Sequence, residues 1–185
     1  QHPRRRRQRQ MCIRDSPWVM DGIDVLVINH GRYDRVDAKD LDLEHLRRTM
    51  TTNFEGAFLT WDAVKSSLTK QARICVIGSQ LGTKGSPHGA DYSASKAALS
   101  TWARSLAQSL APEGKRVNVV APGFVDTDIL AGDSPQKRAG REQEVPSKRI
   151  GTPEDIAGVV SFLVGDKSSY ITGAVIHVHG GLYLP

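Results

Sequence analysis

The sequence predicts an α/β fold, in which a mostly parallel sheet lies between two layers of helices as a three-layer sandwich. Short runs that are apolar at consecutive positions alternate with helix-like segments along residues 24–181. Strands of this kind are typical of sheets covered on both faces, and helices between strands allow parallel crossovers. Ligands of such sheets bind beyond the carboxyl ends of the strands.

Four apolar runs predict the strands. They are DVLVIN, RICVIGS, RVNVVAPG and AVIHVHGG, at residues 24–29, 73–79, 116–123 and 174–181. The first three runs end in the segment Asn29–Gly31, in Ser79 and in Pro122-Gly123. Because parallel strands end at the same edge of a sheet, we expect these residues to lie together.

Three helices are predicted, at residues 41–68, 92–111 and 152–165. The second carries one apolar stripe, and the third begins with Thr, Pro and two acidic residues, which are typical of helix starts. The polar segment at about 126–150 is predicted to be a loop that covers the site as a lid.

Charge separates the chain into a tail and a neutral body. The net charge of +5 comes from residues 1–16, which contain six Arg and one Asp. We interpret residues 1–20 as a disordered or non-native tail before one domain at 21–185. The alternative is an arm that binds nucleic-acid phosphates, but the neutral body argues against nucleic acid.

Composition indicates a cytoplasmic protein. No apolar run is long enough to span a membrane, and the basic start lacks the apolar stretch of a secretory signal. Two Cys cannot form a disulfide framework, and Cys75 lies in an apolar run as a reduced core residue.

Tyr92 and Lys96 form the first candidate site. Their spacing of four places both side chains on one helix face. An ammonium near a phenol favours the phenolate and lowers its pKa, so Tyr92 could exchange a proton with a substrate oxygen. The small residues 93–95 would let a flat ring approach. The alternative is a surface Tyr beside a solvated Lys.

The order and spacing of several motifs resemble the short-chain dehydrogenase/reductase family. The motifs are YSASK, Ser79 thirteen residues before Tyr92, Asn53 in TTNFEGAF, NVVAPGFVDTDI and YITGAVIHVHGG. Within the family, the last two segments are most similar to 3-oxoacyl-acyl-carrier-protein reductases. The resemblance implies a Rossmann-like fold and an oxidoreductase that transfers hydride between NAD or NADP and a carbonyl or secondary alcohol.

The resemblance also implies a role for each site residue. Tyr92 exchanges the proton, Lys96 lowers the pKa of Tyr92 and holds the nicotinamide ribose, Ser79 hydrogen-bonds the substrate oxygen, and Asn53 holds a water. The implied cofactor-binding residues are Asn29, His30, Gly31, Tyr92, Lys96, Pro122, Gly123 and Thr127. No metal is implied. The implied partners are a small carbonyl, alcohol or acyl thioester substrate and further copies in a homodimer or homotetramer.

The sequence departs from the family in lacking a glycine-rich phosphate-binding turn. The run at 24–29 is similar to the family's fourth strand, so we expect a carboxyl-terminal fragment without the first three strands and first two helices. We expect such a fragment to expose the edge of this strand and to bind cofactor and turn over poorly. The alternative function is a non-catalytic oligomerising or interaction protein that retains the fold.

Overall fold

The computed structural model describes residues 22–184, so the tail predicted at residues 1–20 lies outside the described residues. Four parallel strands form one sheet in the order β1-β2-β3-β4. Their bounds are Ile23–Ile28 for β1, Leu68–Ile77 for β2, Arg116–Pro122 for β3 and Val175–Val178 for β4. The predicted α/β class and parallel sheet are confirmed.

The described range contains six α-helices. They are α1 (Leu43–Met50), α2 (Gly56–Val64), α3 (Leu81–Lys84), α4 (Ala90–Leu110), α5 (Pro135–Glu144) and α6 (Pro153–Val164). Of these, α2, α4 and α6 pack on the sheet. No described helix has the length and apolar character needed to cross a membrane.

The two faces of the sheet pack against different helices because side chains alternate along each strand. Ile74 and Val76 of β2 point toward α2 and α4, where they join the larger apolar cluster with Leu99. Cys75, between them, points to the opposite face and packs in a second cluster with Leu163 of α6. The three layers of the predicted sandwich follow from this alternation.

Cys75 is the buried thiol of the central part of the sheet. It is 0% exposed, which confirms its predicted place in the core. Burial raises the pKa of this thiol to about 11, because an apolar environment disfavours the thiolate.

The helix predicted at 41–68 contains a wider turn in its middle. Asp42 caps α1 by accepting a hydrogen bond from the His45 backbone N–H at 2.8 Å. Between α1 and α2, residues Thr51–Glu55 form a π-helical turn, and Asn53 lies inside it. Such turns are rare and occur frequently at functional sites.

The prediction of a loop at about 126–150 is wrong in part, because this segment contains α5. Ser134 begins the helix by accepting a hydrogen bond from the Lys137 backbone N–H at 3.3 Å. Before it, Asp133 binds Arg35 and Arg141, each at 2.6 Å. The hydrogen bonds from Arg35 and then Arg141 hold the pKa of this carboxyl far below its usual range. Ion pairs and capping therefore fix a helix that has no buried residue.

The outer side of β1 matches the exposed edge expected from the sequence. Among the described strands β1 pairs with β2 alone. Val25 and Val27, which point away from α2 and α4, are 43% and 42% exposed.

Gly82 is required by the crossing of α3 and α4. A Cβ at Gly82 would lie 2.8 Å from the carbonyl carbon of Lys96 and 2.9 Å from the nitrogen of Ala97. Both are backbone atoms, so we expect Gly82→Ala to lower the free energy of unfolding by about 1–3 kcal/mol.

The matched control is Gly158→Ala, because Gly158 lies in α6 and a Cβ there meets no atom within 4 Å. We expect this change to raise the free energy of unfolding by about 0.5–1 kcal/mol, since alanine favours helix. Urea unfolding followed by circular dichroism measures both. Equal effects of the two substitutions would contradict this account of the crossing.

Candidate active site

A cavity of about 1300 Å³ lies at the carboxyl ends of β1, β2 and β3, against the start of α4. Nine of the ten predicted site residues line it, and they are Asn29, His30, Gly31, Ser79, Tyr92, Lys96, Pro122, Gly123 and Thr127. The tenth, Asn53, lies behind the wall and is 0% exposed. The strand ends therefore meet as the parallel order requires.

Tyr92 is held in the first turn of α4 and is 9% exposed. Burial raises the pKa of the Tyr92 phenol above its ordinary value, and hydrogen bonding with the Ser79 hydroxyl acts in the opposite direction. Ser79 Oγ also accepts a hydrogen bond from the Leu81 N–H at 3.2 Å, so its own proton remains free to be donated. A buried, protonated phenol is the form that can give a proton to a substrate oxygen.

Lys96 lies on the same face of α4, and its Nζ is 5.7 Å from the centre of the Tyr92 ring. Nζ donates a hydrogen bond to the Ile77 carbonyl at 2.9 Å. Burial lowers the pKa of Lys96 to about 8. Burial of the phenol raises the pKa of Tyr92, and Ser79 is the neighbour that lowers it. The role expected for Lys96 in lowering this pKa stays a prediction.

Asn53 supports the site rather than facing the cavity. Its Oδ1 accepts from the Arg32 N–H at 2.6 Å, and its Nδ2 donates to the Arg32 carbonyl at 3.0 Å and to Ser95 Oγ at 2.9 Å. Ser95 in turn donates to the Tyr92 carbonyl at 2.7 Å. These bonds link the loop after β1 to the turn of α4 that carries Tyr92. The water-holding role of Asn53 stays a prediction.

The remaining predicted residues form the floor and mouth of the cavity. His30 packs against Gly56, and burial followed by the nearby Lys96 ammonium lowers the pKa of its ring. Gly123 is required by the fold, because a Cβ there would lie 2.5 Å from the Cβ of His179. Thr127 is exposed in the loop before α5, at the cavity mouth.

Among the cavity residues that the sequence reasoning missed, Tyr33 and Gln80 bear directly on the site. The Tyr33 ring lies 4.6 Å from the Tyr92 ring, centre to centre. Gln80 is 3% exposed, and its Oε1 is buried without a hydrogen-bond partner among the described residues. Both follow the end of a strand within five residues, and that position is the signal that could have identified them.

The titration of Lys96 gives a testable pH dependence of stability. The pKa of Lys96 is about 8 in the folded chain against an ordinary 10.5, so the unfolded chain binds more protons between these pH values. Stability therefore rises with pH in this window, with a slope of up to about 1.4 kcal/mol per pH unit. We expect Lys96→Met to remove this rise.

Denaturant unfolding between pH 7 and 10 measures the difference between the two proteins. The raised pKa of Cys75 lowers the free energy of unfolding as pH rises above 9.0, the ordinary pKa of a thiol. This loss of stability is the same in the wild type and in Lys96→Met. Lys70→Met is the control, since Lys70 is exposed. A wild-type protein and a Lys96→Met variant with parallel pH curves would show that Lys96 titrates normally.

Comparison with known proteins identifies the family. Residues 7–183 match the family model described as enoyl-(acyl carrier protein) reductase. The chain is 40% identical over 165 residues to the 3-oxoacyl-[acyl-carrier-protein] reductase FabG of Salmonella typhimurium, covering 88% of this chain and 67% of that protein. The chain belongs to the short-chain dehydrogenase/reductase family.

Two further relatives agree with this assignment. The 3-oxoacyl-[acyl-carrier-protein] reductase MabA of Mycobacterium tuberculosis is 39% identical over 162 residues, covering 86% of this chain and 66% of that protein. A crystal structure from Brucella melitensis, described as a short-chain dehydrogenase/reductase and glucose/ribitol dehydrogenase, superposes with a TM-score of 0.84 at 31% identity, covering 89% of this chain and 66% of that one. The chain thus spans about two thirds of the length of these relatives.

Membership of the short-chain dehydrogenase/reductase family confirms the predicted class of NAD(P)-dependent oxidoreductase. The cavity fits the nicotinamide end of that cofactor. Gly31 leaves open a space beside Lys96, since a Cβ there would lie 3.2 Å from Lys96 Nζ. Lys96 has three N–H donors, and the Ile77 carbonyl accepts one of them. The donors that remain suit ribose hydroxyls.

Proposed function

We propose that this chain carries the catalytic site of an NAD(P)-dependent reductase that converts the 3-oxo group of an acyl thioester into a secondary alcohol. The convergence of Ser79, Tyr92 and Lys96 on one cavity carries the proposal. The FabG and MabA relatives are named as 3-oxoacyl-[acyl-carrier-protein] reductases, which supports the choice of substrate class.

Tyr92 is the proton donor of the proposed reaction. When bound, the reduced nicotinamide cofactor supplies a hydride to the carbonyl carbon. The Tyr92 hydroxyl gives its proton to the carbonyl oxygen, so that C=O becomes CH–OH and a phenolate remains to be reprotonated from solvent. The raised pKa of Tyr92 keeps the phenol protonated at neutral pH, which is the state that reduction needs.

In the proposed reaction Ser79 binds the substrate oxygen, and Lys96 acts on the phenol of Tyr92. Because Ser79 Oγ already accepts a hydrogen bond from Leu81, its hydroxyl is directed to donate to the substrate oxygen as negative charge develops there. Lys96, with its Nζ 5.7 Å from the centre of the Tyr92 ring, stabilises the phenolate left after proton transfer.

The test is an assay of the chain with a short 3-oxoacyl thioester and either NADPH or NADH. We expect the absorbance of the reduced nicotinamide to fall slowly, in keeping with the poor turnover expected of a fragment, and only when the thioester is present. Mass spectrometry should detect the 3-hydroxyacyl thioester. A simple ketone and a sugar serve as matched alternative substrates. A folded chain that consumes no cofactor with any substrate would instead favour the non-catalytic interaction protein.

We also propose that copies of the chain assemble through α2 and α4 as a homodimer or homotetramer. Phe58 and Leu59 of α2 are 45% and 63% exposed, and the Phe58 ring centre is 6.3 Å from that of Trp102 in α4. We expect Leu59→Glu to convert an oligomer into a monomer in size-exclusion chromatography with light scattering, because it places a charge on this apolar face. Ile129→Glu, at another exposed apolar position, should leave the mass unchanged.

A further inference from the structure

Tyr33 contacts the proposed proton donor directly. It lies in the loop after β1, and its ring centre is 4.6 Å from that of Tyr92, with an angle of 43° between the planes. This separation is within the range of favourable aromatic pairs. Tyr33 also lines the cavity, so its ring covers one side of the Tyr92 phenol at the site itself.

Two contacts fix the Tyr33 ring against the start of α4. The Tyr33 hydroxyl donates a hydrogen bond to the His88 carbonyl at 3.0 Å. Gly89, the next residue, leaves room for the ring, because a Cβ at Gly89 would overlap Tyr33. The glycine before α4 is therefore explained by close approach of an aromatic ring rather than by its backbone angles.

The loop that carries Tyr33 is also hydrogen-bonded to the Asn53 side chain. Arg32, the neighbour of Tyr33, exchanges two backbone hydrogen bonds with the Asn53 side chain, at 2.6 Å and 3.0 Å. Two residues further on, Arg35 binds Asp133, which lies just before α5. The backbone on both sides of Tyr33 is thus anchored, and its ring cannot turn away from Tyr92 without losing the hydrogen bond to the His88 carbonyl.

We propose that Tyr33 is a positioning residue, which packs on the Tyr92 ring, sets the direction of the Tyr92 hydroxyl toward Ser79 and shields it from water. The functional meaning of this role rests on the proposed function, in which Tyr92 is the proton donor. Shielding keeps the phenol in its protonated form, because a buried site disfavours the phenolate. Both burial and the electrostatic effect of Tyr33 act in this direction on the pKa of Tyr92.

Other charged groups near the two rings must be held constant in any test. Lys96 faces the Tyr92 ring from α4 itself, with Nζ 5.7 Å from its centre. Arg35 faces Tyr33 at 5.9 Å from the ring centre, and the His88 ring lies 3.5 Å from Asp37. The tyrosine substitutions used in the test alter none of these groups.

The experiment is a pH titration of the full chain labelled at tyrosine Cζ with ¹³C and followed by NMR. The chain contains four tyrosines, so each gives one signal, and Tyr92→Phe identifies the signal of Tyr92. We expect Tyr33→Leu to shift the titration of Tyr92 to lower pH, because the phenol loses its cover. Tyr33→Phe keeps the ring and should cause a smaller shift in the same direction.

A second readout is independent of titration. In the unaltered chain we expect a nuclear Overhauser effect between the ring protons of Tyr33 and Tyr92, and Tyr33→Phe should retain it. Tyr170→Phe, at a fully exposed residue, should change neither measurement. An unchanged Tyr92 titration in a folded Tyr33→Leu variant, or no Overhauser effect between the rings, would overturn the proposal.

Neither readout needs catalytic turnover, so the proposal about Tyr33 and the proposed reaction can fail separately. If the chain reduces the thioester, Tyr33→Leu should also move the alkaline limb of the kcat profile to lower pH, because reduction needs a protonated Tyr92. A uniform fall in kcat at all pH values would indicate a structural role alone and would contradict the shielding.

Discussion

Replacing Tyr92 with phenylalanine should lower kcat for thioester reduction by about 100- to 10,000-fold, the usual contribution of a positioned proton donor. The change removes one hydroxyl and keeps the ring that packs against Tyr33 and Lys96. Without this hydroxyl, no acidic group of the chain meets the carbonyl oxygen when the proton is needed. Initial rates at saturating substrate, measured by loss of the reduced nicotinamide, give the ratio.

Stability and an exposed tyrosine provide the controls for this result. The unfolding free energy of Tyr92→Phe should stay close to that of the unaltered chain, because the buried ring is retained. Tyr170→Phe, at an exposed position, should keep the full rate. If Tyr92→Phe were as fast as the unaltered chain, Tyr92 would not be the proton donor and the proposed mechanism would be wrong.

Replacing Arg116 with methionine should lower the free energy of unfolding by about 3 kcal/mol, since hydrogen bonds from a charged donor are worth about 1.5–3 kcal/mol each and water replaces some of them. The Arg116 guanidinium, at the start of β3, donates to the carbonyls of Leu163, Gly165 and Ile171 at 2.8, 2.9 and 3.3 Å and to Ser168 Oγ at 3.0 Å. These acceptors lie at the end of α6 and in the turn after it, where helix carbonyls lack partners.

Guanidinium unfolding measures this loss, and two variants test its cause. Arg104→Met, on the exposed side of α4, should change stability by less than about 0.5 kcal/mol. The free energy of unfolding of Arg116→Lys should lie between those of Arg116→Met and the unaltered chain. A lysine ammonium has three donors on one nitrogen, so it cannot replace all the hydrogen bonds of the planar guanidinium. An Arg116→Met variant as stable as Arg104→Met would show that the four hydrogen bonds contribute nothing net.

The apolar pattern of the sequence predicted a helix or strand wherever that element is buried in the fold. The run at 73–79 predicted the inner part of β2, but the strand begins at Leu68, because its early residues 69–71 are polar and partly or fully exposed. Helix α5 was not predicted, because it too lacks buried apolar residues. It has no apolar stripe, and it is fixed by Asp133 through Arg35, a residue 98 positions away that spacing cannot connect.

The site was predictable as a set of residues but not in its electrostatics. Ser79, which follows β2, and Tyr92 and Lys96, on one face of α4, line one cavity as expected. The direction of the Tyr92 pKa was not predictable, because spacing shows that an ammonium is near but not how far water is excluded. Tyr33 was missed since its partner lies far along the chain.

The thiol of Cys75 can report the rate at which β2 separates from α6. It points into the packed face between β2 and α6 and is 0% exposed. A thiol-reactive reagent needs the thiolate, so this side chain reacts only in molecules whose central strand has separated from α6. In a variant with Cys12 replaced by serine, the labelling rate would therefore count such separations directly.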